Sequence, residues 1–424
     1  MPVYNWGMAQ PADRTTTLDV LKRLREAGHQ AYFAGGCVRD MLLGVEPADY
    51  DIATDATPQQ VRKLFRQVLL VGARFGVAVV VVKRRHVEVA TFRSDLSYSD
   101  GRRPDGVVYA SAEADARRRD FTINGLFYDP LADEVIDYVN GRDDLRAGVV
   151  RTIGRPEERF AEDYLRLIRA VRFAARFAFA IEPATAEAIA GAAEMIASVS
   201  GERVYDELSK MLARPSAGEA LTAARKLGLI VPVLGELADE TLWNAAVARV
   251  AACSADAVGE GGDSLLAMGA LLADLPDKAI RKIARRWGAS NADADAWRYL
   301  AANKDRWTQA EAMPLAELKR LAASEHFPRL LRLWRHQEHR ATGEAAGSLA
   351  AERRVAAIAP GQVQPEPLVT GADLLEMGLP EGRALGRILA ELYERQLNEE
   401  LTERNEALDL ARRWVEEEDP SARR

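Results

Sequence analysis

Two carboxylates one residue apart, Asp49 and Asp51 in Asp49-Tyr50-Asp51, follow the pair Gly35-Gly36 after twelve intervening residues. On a strand, side chains two apart point to the same side. Clustered like charges are costly unless a cation lies between them. Two Mg²⁺ ions bridged to a nucleoside triphosphate would meet that need. The glycines let backbone N–H groups approach a phosphate closely, and a helix opening at Cys37 would add partial positive charge. Alone, Asp-x-Asp is an ordinary solvated strand end; the Gly-Gly turn before it is what points to phosphate chemistry. A third carboxylate is available in Val87-Glu88-Val89, where alternation sets Glu88 opposite its apolar neighbours. The plainer reading of Glu88 is an exposed residue on a half-buried strand.

Two further clusters carry polar chemistry. Arg117-Arg118-Arg119-Asp120-Phe121-Thr122-Ile123-Asn124 runs three arginines into a polar helix start. Such side chains suit phosphates and ribose hydroxyls, although an arginine run is most often a solvated face. In Glu162-Asp163-Tyr164-Leu165-Arg166, a helical reading puts Asp163 and Arg166 on one face. That is either a helix ion pair worth a few tenths of a kcal/mol or a base reader. A carboxylate accepts from the exocyclic amine of cytosine or adenine and repels the carbonyl that uracil or guanine presents. An arginine donates to the ring nitrogen, so the pair selects C and A by donor–acceptor logic.

The elements that must position these residues divide the chain. Gln30 to Ala34, Val77 to Val82, His86 to Phe92, Gly106 to Tyr109 and Glu134 to Tyr138 read as strands, with a hairpin turn at Lys83-Arg84-Arg85. Pro58 to Phe65 reads as a helix capped by Thr57. Beyond about Val149 the apolar period becomes helical: Glu157 to Phe179, Pro183 to Ala197 and Glu202 to Leu212 each read as a helix. Joints are expected near Ser254–Asp263, Ala341–Ser348 and Ala359–Pro367. Gly259 to Gly262 reads as a loop, not a phosphate cradle.

Composition narrows the function classes. With 424 residues the chain exceeds one compact core, and 48% hydrophobic with 29% charged residues is globular, not disordered. A net charge of −7 argues against a protein that coats nucleic acid, but not against a local basic stripe. Two cysteines, Cys37 and Cys253, read as free thiols in a reducing compartment and exclude a Cys-x-x-Cys zinc motif. The histidines form no sequence pair of the phosphohydrolase kind. No apolar run approaches the roughly 20 residues of a membrane helix, and no signal peptide is visible. The expected location is the cytoplasm, with no membrane partner.

Taken in order, Gly35-Gly36-Cys37-Val38-Arg39-Asp40, Asp49-Tyr50-Asp51, Arg118-Arg119-Asp120-Phe121-Thr122-Ile123-Asn124 and Glu162-Asp163-Tyr164-Leu165-Arg166 resemble the motifs of class II tRNA nucleotidyltransferases, which comprise CCA-adding enzymes and bacterial poly(A) polymerases. Tyr138 to Leu145 resembles the connection between head and neck, and Glu202 to Leu208 the helix that buttresses the templating helix. The likeness is dense from Ala31 to Leu234 and returns weakly at Thr370 to Leu374.

The resemblance implies an α+β head of the DNA polymerase beta nucleotidyltransferase superfamily (1–148), then an all-α neck (149–234), body (235–358) and tail (359–424) in a seahorse-like chain. Asp49 and Asp51 would hold Mg²⁺, with Glu88 as a further catalytic carboxylate. Gly36, Arg39, Arg119, Asp120 and Asn124 would line the triphosphate and ribose. Asp163 and Arg166 would read the base, with Arg169 and Arg172 on the same helix. The expected partners are the tRNA 3′ end, CTP and ATP.

Gly72-Ala73-Arg74-Phe75-Gly76-Val77 lacks the basic stretch typical of poly(A) polymerases. The loop around Asp100 to Asp105 is present, whereas CC-adding members have it shortened. Lys278, Arg281, Lys282 and Arg285 form a stripe suited to an RNA backbone, with Arg329, Arg332 and Arg335 a weaker one. Trp287 and Trp334 are expected in the core. The rival readings are a poly(A) polymerase, a small-molecule nucleotidyltransferase and a non-catalytic RNA-binding module. Neither of the last two needs an Asp163/Arg166 reader joined to intact carboxylates.

Overall fold

The computed structural model of the protein describes residues 10–11, 13–72, 76–95, 107–255 and 262–418. The loop around Asp100 to Asp105, the Gly259–Gly261 stretch and residues 73–75 lie outside these.

The head is a mixed sheet flanked by helices. Its elements are β1 Gln10–Pro11, α1 Arg14–Glu26, β2 Ala31–Ala34, α2 Gly36–Leu42, β3 Ile52–Thr54, α3 Pro58–Leu64, β4 Val68–Gly72, β5 Val77–Val82, β6 Arg85–Thr91, β7 Arg93–Asp95, β8 Val107–Tyr109, α4 Ala112–Arg117, β9 Leu126–Asp129, β10 Glu134–Asp137 and α5 Gly141–Ala147. The sheet order is β10-β9-β2-β3-β6-β5-β4, with β1 beside β6, and β7 pairs with β8 separately. β3 runs parallel to β6, with Ile52 opposite Val89; β5 and β6 are antiparallel. Thr57 caps α3 through a full capping box with Gln60.

The β5–β6 turn is tighter than expected. Arg85 already pairs with Val82, so only Lys83 and Arg84 turn, at φ 50° and 65°. Two-residue hairpins require this left-handed backbone to match strand twist.

Helices follow: β11 Val149–Val150, α6 Pro156–Glu162, α7 Leu165–Phe177, β12 Ala180–Ile181, α8 Pro183–Gly191, α9 Gly201–Leu212, α10 Ala217–Lys226 and α11 Ile230–Leu234. The single helix expected from Glu157 to Phe179 is two, because Asp163 is extended (φ −159°, ψ 103°). Pro183 to Ala197 likewise splits, with a 3₁₀ segment at Ala193–Ser198.

The chain forms two compact units: residues up to Trp243 together with Arg285–Gly288, and Asn244–Ala284 together with Ala289–Arg424. Within the first, Trp287 is buried and stacks on Tyr205 of α9 at 5.9 Å, and Gly201 lies so close to Arg286 that a Cβ there would meet its carbonyl oxygen at 1.9 Å. In the second, Trp297 and Trp334 are buried among helices, and Lys319, fully buried, donates to Glu399 at 2.9 Å. Both tryptophans singled out from the sequence are core residues. The expected joint at Ala341–Ser348 is a short turn between helices Phe327–Thr342 and Ala346–Ala356. Glu338 holds it shut by accepting from the backbone of Gly347 and Ser348.

Candidate active site

The Gly-Gly turn is built for close approach. Gly35 has φ +73°, a left-handed value that disfavours a side chain, and a Cβ there would fall 2.7 Å from Nη1 of Arg119. The backbone then enters α2 at Gly36, as expected. Asp49 and Asp51 lie just ahead of β3, not within a strand as the spacing suggests. The alternation survives nonetheless. Tyr50 is buried against Phe33, 5.4 Å between ring centroids, and the Asp51 carbonyl accepts from Ala34 N–H at 3.1 Å. A buried side chain between two acids turns both the other way.

Glu88 belongs with them. Since Ile52 pairs with Val89 in the parallel register, Asp51, just ahead of β3, and Glu88 of β6 each stand one residue before that pair. Glu88 is exposed between buried Val87 and Val89. The Asp51 carboxyl is pushed up to about 7 by burial, then by the charges of Glu88 and Asp49, with Arg119 opposing. Glu88 is raised by desolvation around its carboxyl and by Asp49. Among the described residues no three metal-ligating side chains are gathered closely enough to enclose an ion as they stand. The donor set is hard carboxylate oxygen with excess negative charge, which suits Mg²⁺, so these residues fit a divalent cation.

From this edge a chain of polar contacts leads into the neck. Arg119 donates to the Asn124 carbonyl at 3.2 Å and is held by buried Asp115, which also binds Arg118. Buried Arg39 donates to Asn124 Oδ1 and to Asp40, and lies over the rings of Phe173 and Phe177. Asn124 in turn donates to Asp120 at 3.0 Å. Asp120 takes both Nε and Nη2 of Arg169, and Glu207 of α9 takes Arg169 and Arg172. Burial alone would raise the Asp120 carboxyl; Arg169 and Asn124 overcome it and hold the acid well below the usual carboxylate range.

The arginine run ends helix α4 instead of opening one, the end where cations are favoured. The 3₁₀ turn Thr122–Asn124 that follows is pinned by the connecting segment. Thr122 donates to Asp144 at 2.6 Å, and a Cβ on Gly141 would strike the Thr122 carbonyl at 2.2 Å.

Asp163 and Arg166 depart most from expectation. Because Asp163 is extended, the two do not share a helix face. Asp163 accepts the Leu165 N–H at 3.1 Å, starting α7, and takes a two-pronged pair from Arg203 of α9 at 3.1 and 2.7 Å. Arg166 instead donates to Glu162 and to the Arg159 carbonyl. Sequence reasoning missed Glu162 and Arg159 as partners of Arg166, although the four-residue spacing of Glu162 was there to read, and missed Arg203 and Glu207, since nothing local marks pairs 35 to 40 residues apart. The one available signal was the resemblance of Glu202 to Leu208 to a buttressing helix.

Residues 31–151 match the model of the poly A polymerase head domain, and residues 178–241 the probable RNA and SrmB-binding site of polymerase A. The chain is 44% identical over 227 residues to poly(A) polymerase I of Salmonella typhi, covering 51% of this chain and 49% of that one. It is 43% identical over 213 residues to the CCA-adding enzyme of Geobacillus stearothermophilus, covering 50% and 52%. In fold it is similar to the Bacillus stearothermophilus CCA-adding enzyme solved with CTP, at 30% identity and TM-score 0.76, over 96% of this chain and 98% of that one. The chain belongs to the CCA-adding enzyme and poly(A) polymerase family. Its sequence matches span about half the length of the curated members.

For a member of this family the distal basic residues differ in availability. Lys278, Arg281, Lys282 and Arg285 are all exposed on helix Asp277–Arg286, which buries Ile280 and Ile283. Arg281 pairs with Asp277 on the same surface. The weaker stripe is committed elsewhere: Arg329 and Arg332 face Asp263, and Arg335 binds Glu352. Both cysteines are free and buried. His29, assigned no acidic partner in the sequence, meets Asp55 at 3.0 Å, because β3 returns beside the start of β2.

Proposed function

We propose that this protein adds C and A without a template to the 3′ end of tRNA, from CTP and ATP. The observation that carries this reading is the whole-length likeness to a CCA-adding enzyme solved with CTP. This reading draws support from the site: a Gly-Gly turn and three carboxylates at one sheet edge, with Arg119, Asn124 and Asp120 leading by hydrogen bonds to α7, which carries Arg166 and is started by Asp163. The sequence similarity to poly(A) polymerase I favours one second reading, addition of A tails to RNA generally. The working division is a head (1–148), neck (149–234), body (235–358) and tail (359–424), in the cytoplasm. No helix among the described residues is long and apolar enough to cross a membrane.

In this reading the tRNA 3′-hydroxyl attacks the α-phosphorus in line. A new P–O bond forms as the bond to pyrophosphate breaks. Asp49 and Asp51, with Glu88 beside them, would hold Mg²⁺, which when bound acidifies the attacking hydroxyl and neutralises the leaving phosphates. Gly36 leaves room for the triphosphate. Arg39, Arg119, Asp120 and Asn124 bind phosphates and ribose, and Arg169 and Arg172 set the position of that group from the neck. Asp163 accepts the exocyclic amine of the incoming base and Arg166 donates to its ring nitrogen. Lys278, Arg281, Lys282 and Arg285 bind the tRNA backbone through its phosphates.

The test uses two tRNA transcripts, one lacking CCA and one ending in CC, with Mg²⁺ and CTP, ATP or both. Sequenced products ending in CCA from the first transcript establish the full activity. A single A on the second alone makes the protein an A-adding enzyme. Long A tails on any RNA establish the second reading, and no extension overturns the assignment of Asp49 and Asp51.

A further inference from the structure

We infer that Arg203 is a specificity-determining positioning residue: it fixes the Asp163 carboxylate so that one acceptor position is left for the incoming base. This rests on the proposed base-reading role of Asp163.

An ionised carboxylate offers about four acceptor positions, two per oxygen. At Asp163, Oδ1 is filled by the Leu165 N–H and by Nη1 of Arg203, both at 3.1 Å. Oδ2 receives Nη2 of Arg203 at 2.7 Å. Among the described residues three positions are taken and one, on Oδ2, is left. Cytosine and adenine each present one exocyclic amine hydrogen on the pairing edge beside a ring nitrogen acceptor, and the vacancy matches that hydrogen. A carboxylate free to rotate would instead offer either oxygen in several directions, and could accept from the ring N–H of uracil or guanine.

The guanidinium can do this because it is rigid and its backbone is fixed. Its planar fork matches a carboxylate in two-pronged geometry, which a lysine cannot reproduce. Arg203 lies in the first turn of α9, whose start is clamped by Gly201 against Arg286 and by Tyr205 stacked on Trp287. Four residues on, Glu207 holds Arg169 and Arg172 of α7. One helix therefore sets both the acceptor that reads the base and the cations further along the reading helix.

The experiment measures kcat and KM of the full-length protein for CTP, ATP, UTP and GTP on the two transcripts, with thermal melting alongside. For Arg203→Lys the preference in kcat/KM for C or A over U or G falls about tenfold or more, the loss expected of one misplaced two-pronged contact. The fall comes mainly from a higher KM for CTP and ATP. Leu374→Ala, a truncation in the separate core cluster of the second unit, lowers the melting temperature and leaves the preference within about twofold.

An unchanged preference in Arg203→Lys, or an equal loss in Leu374→Ala, overturns the inference. Should both Arg203→Lys and Arg203→Gln fail to fold, the pair is purely structural and the inference is overturned as well. Asp163→Ala separates the two levels. If it too keeps the preference, the base-reading role itself fails. If it abolishes the preference while Arg203→Lys retains it, only the role of Arg203 fails.

Discussion

The two ends of the polar chain treat charge in opposite ways. At the sheet edge Asp49, Asp51 and Glu88 crowd negative charge with only Arg119 opposing, and the Asp51 carboxyl is driven up to about 7. At the α7–α9 end three buried or half-buried acids each have a cation: Asp120 with Arg169, Glu207 with Arg169 and Arg172, Asp163 with Arg203. The sheet edge holds an unfavourable arrangement that a bound cation would relieve. Those acids are satisfied already, so in the proposed reading a nucleotide there would have to fit the acceptors left over. Removing an acid should accordingly have opposite effects on stability in the two places.

The largest effect expected is on turnover at the sheet edge. Asp51→Asn should lower kcat on the order of a thousandfold or more, measured by CTP incorporation. In chelator the same variant should be more stable than the parent. The sign follows from the raised acid: between 3.8 and about 7 the folded protein keeps a proton that the unfolded chain has lost. The parent therefore loses stability as pH rises through that window, and the gap to the variant levels off above it. A variant that melts lower than the parent at pH 8 would break the comparison at its head end.

Asp120→Asn probes the other end. Removing one partner of a buried pair should cost on the order of 3 kcal/mol at neutral pH. Here the folded acid titrates below its unfolded value of 3.8. The stabilisation is thus complete above that value and lost as pH falls through the folded one. The gap between the melting curves of parent and variant should begin to narrow below about pH 4 and keep narrowing as the pH falls further; a gap of constant size from about pH 5 down to about pH 2 would mean charge is not the cause. Glu88→Gln should act more weakly than Asp51→Asn, lowering kcat roughly ten- to a hundredfold and shifting the pH window of the Asp51 effect downward. The smallest effect belongs to the exposed stripe. Lys278→Ala and Lys282→Ala should each raise KM for tRNA a few-fold, leave kcat alone and reduce the salt slope by about one.

The head was the more legible end because its chemistry is local. Gly35, Gly36, Asp49 and Asp51 lie within one short stretch, and strand alternation is enough to group the acids and to mark Glu88. The Thr57 cap and the β5–β6 hairpin have signals a few residues long. In the neck the sequence shows a helical period and hides what interrupts it. Asp163 satisfies Leu165 N–H with its own side chain and so begins a helix where continuity is expected. Its cation comes from α9, and that of Asp120 from α7, through packing that no spacing rule encodes. The Arg329 stripe misled for the same reason: helical spacing gives a face, and Asp263, far away in sequence, decides what the face binds.

The parallel pairing of β3 with β6 bears on synthesis. Strands β2, β3, β4, β5 and β6, all within residues 31–91, make the contiguous block β2-β3-β6-β5-β4 of the sheet. As the chain leaves the ribosome, that block emerges before Arg119 does. The acids of the sheet edge then meet without Arg119, the cation that opposes them in the finished head, so the nascent head passes through a stage of greater electrostatic cost, which surrounding divalent ions would offset.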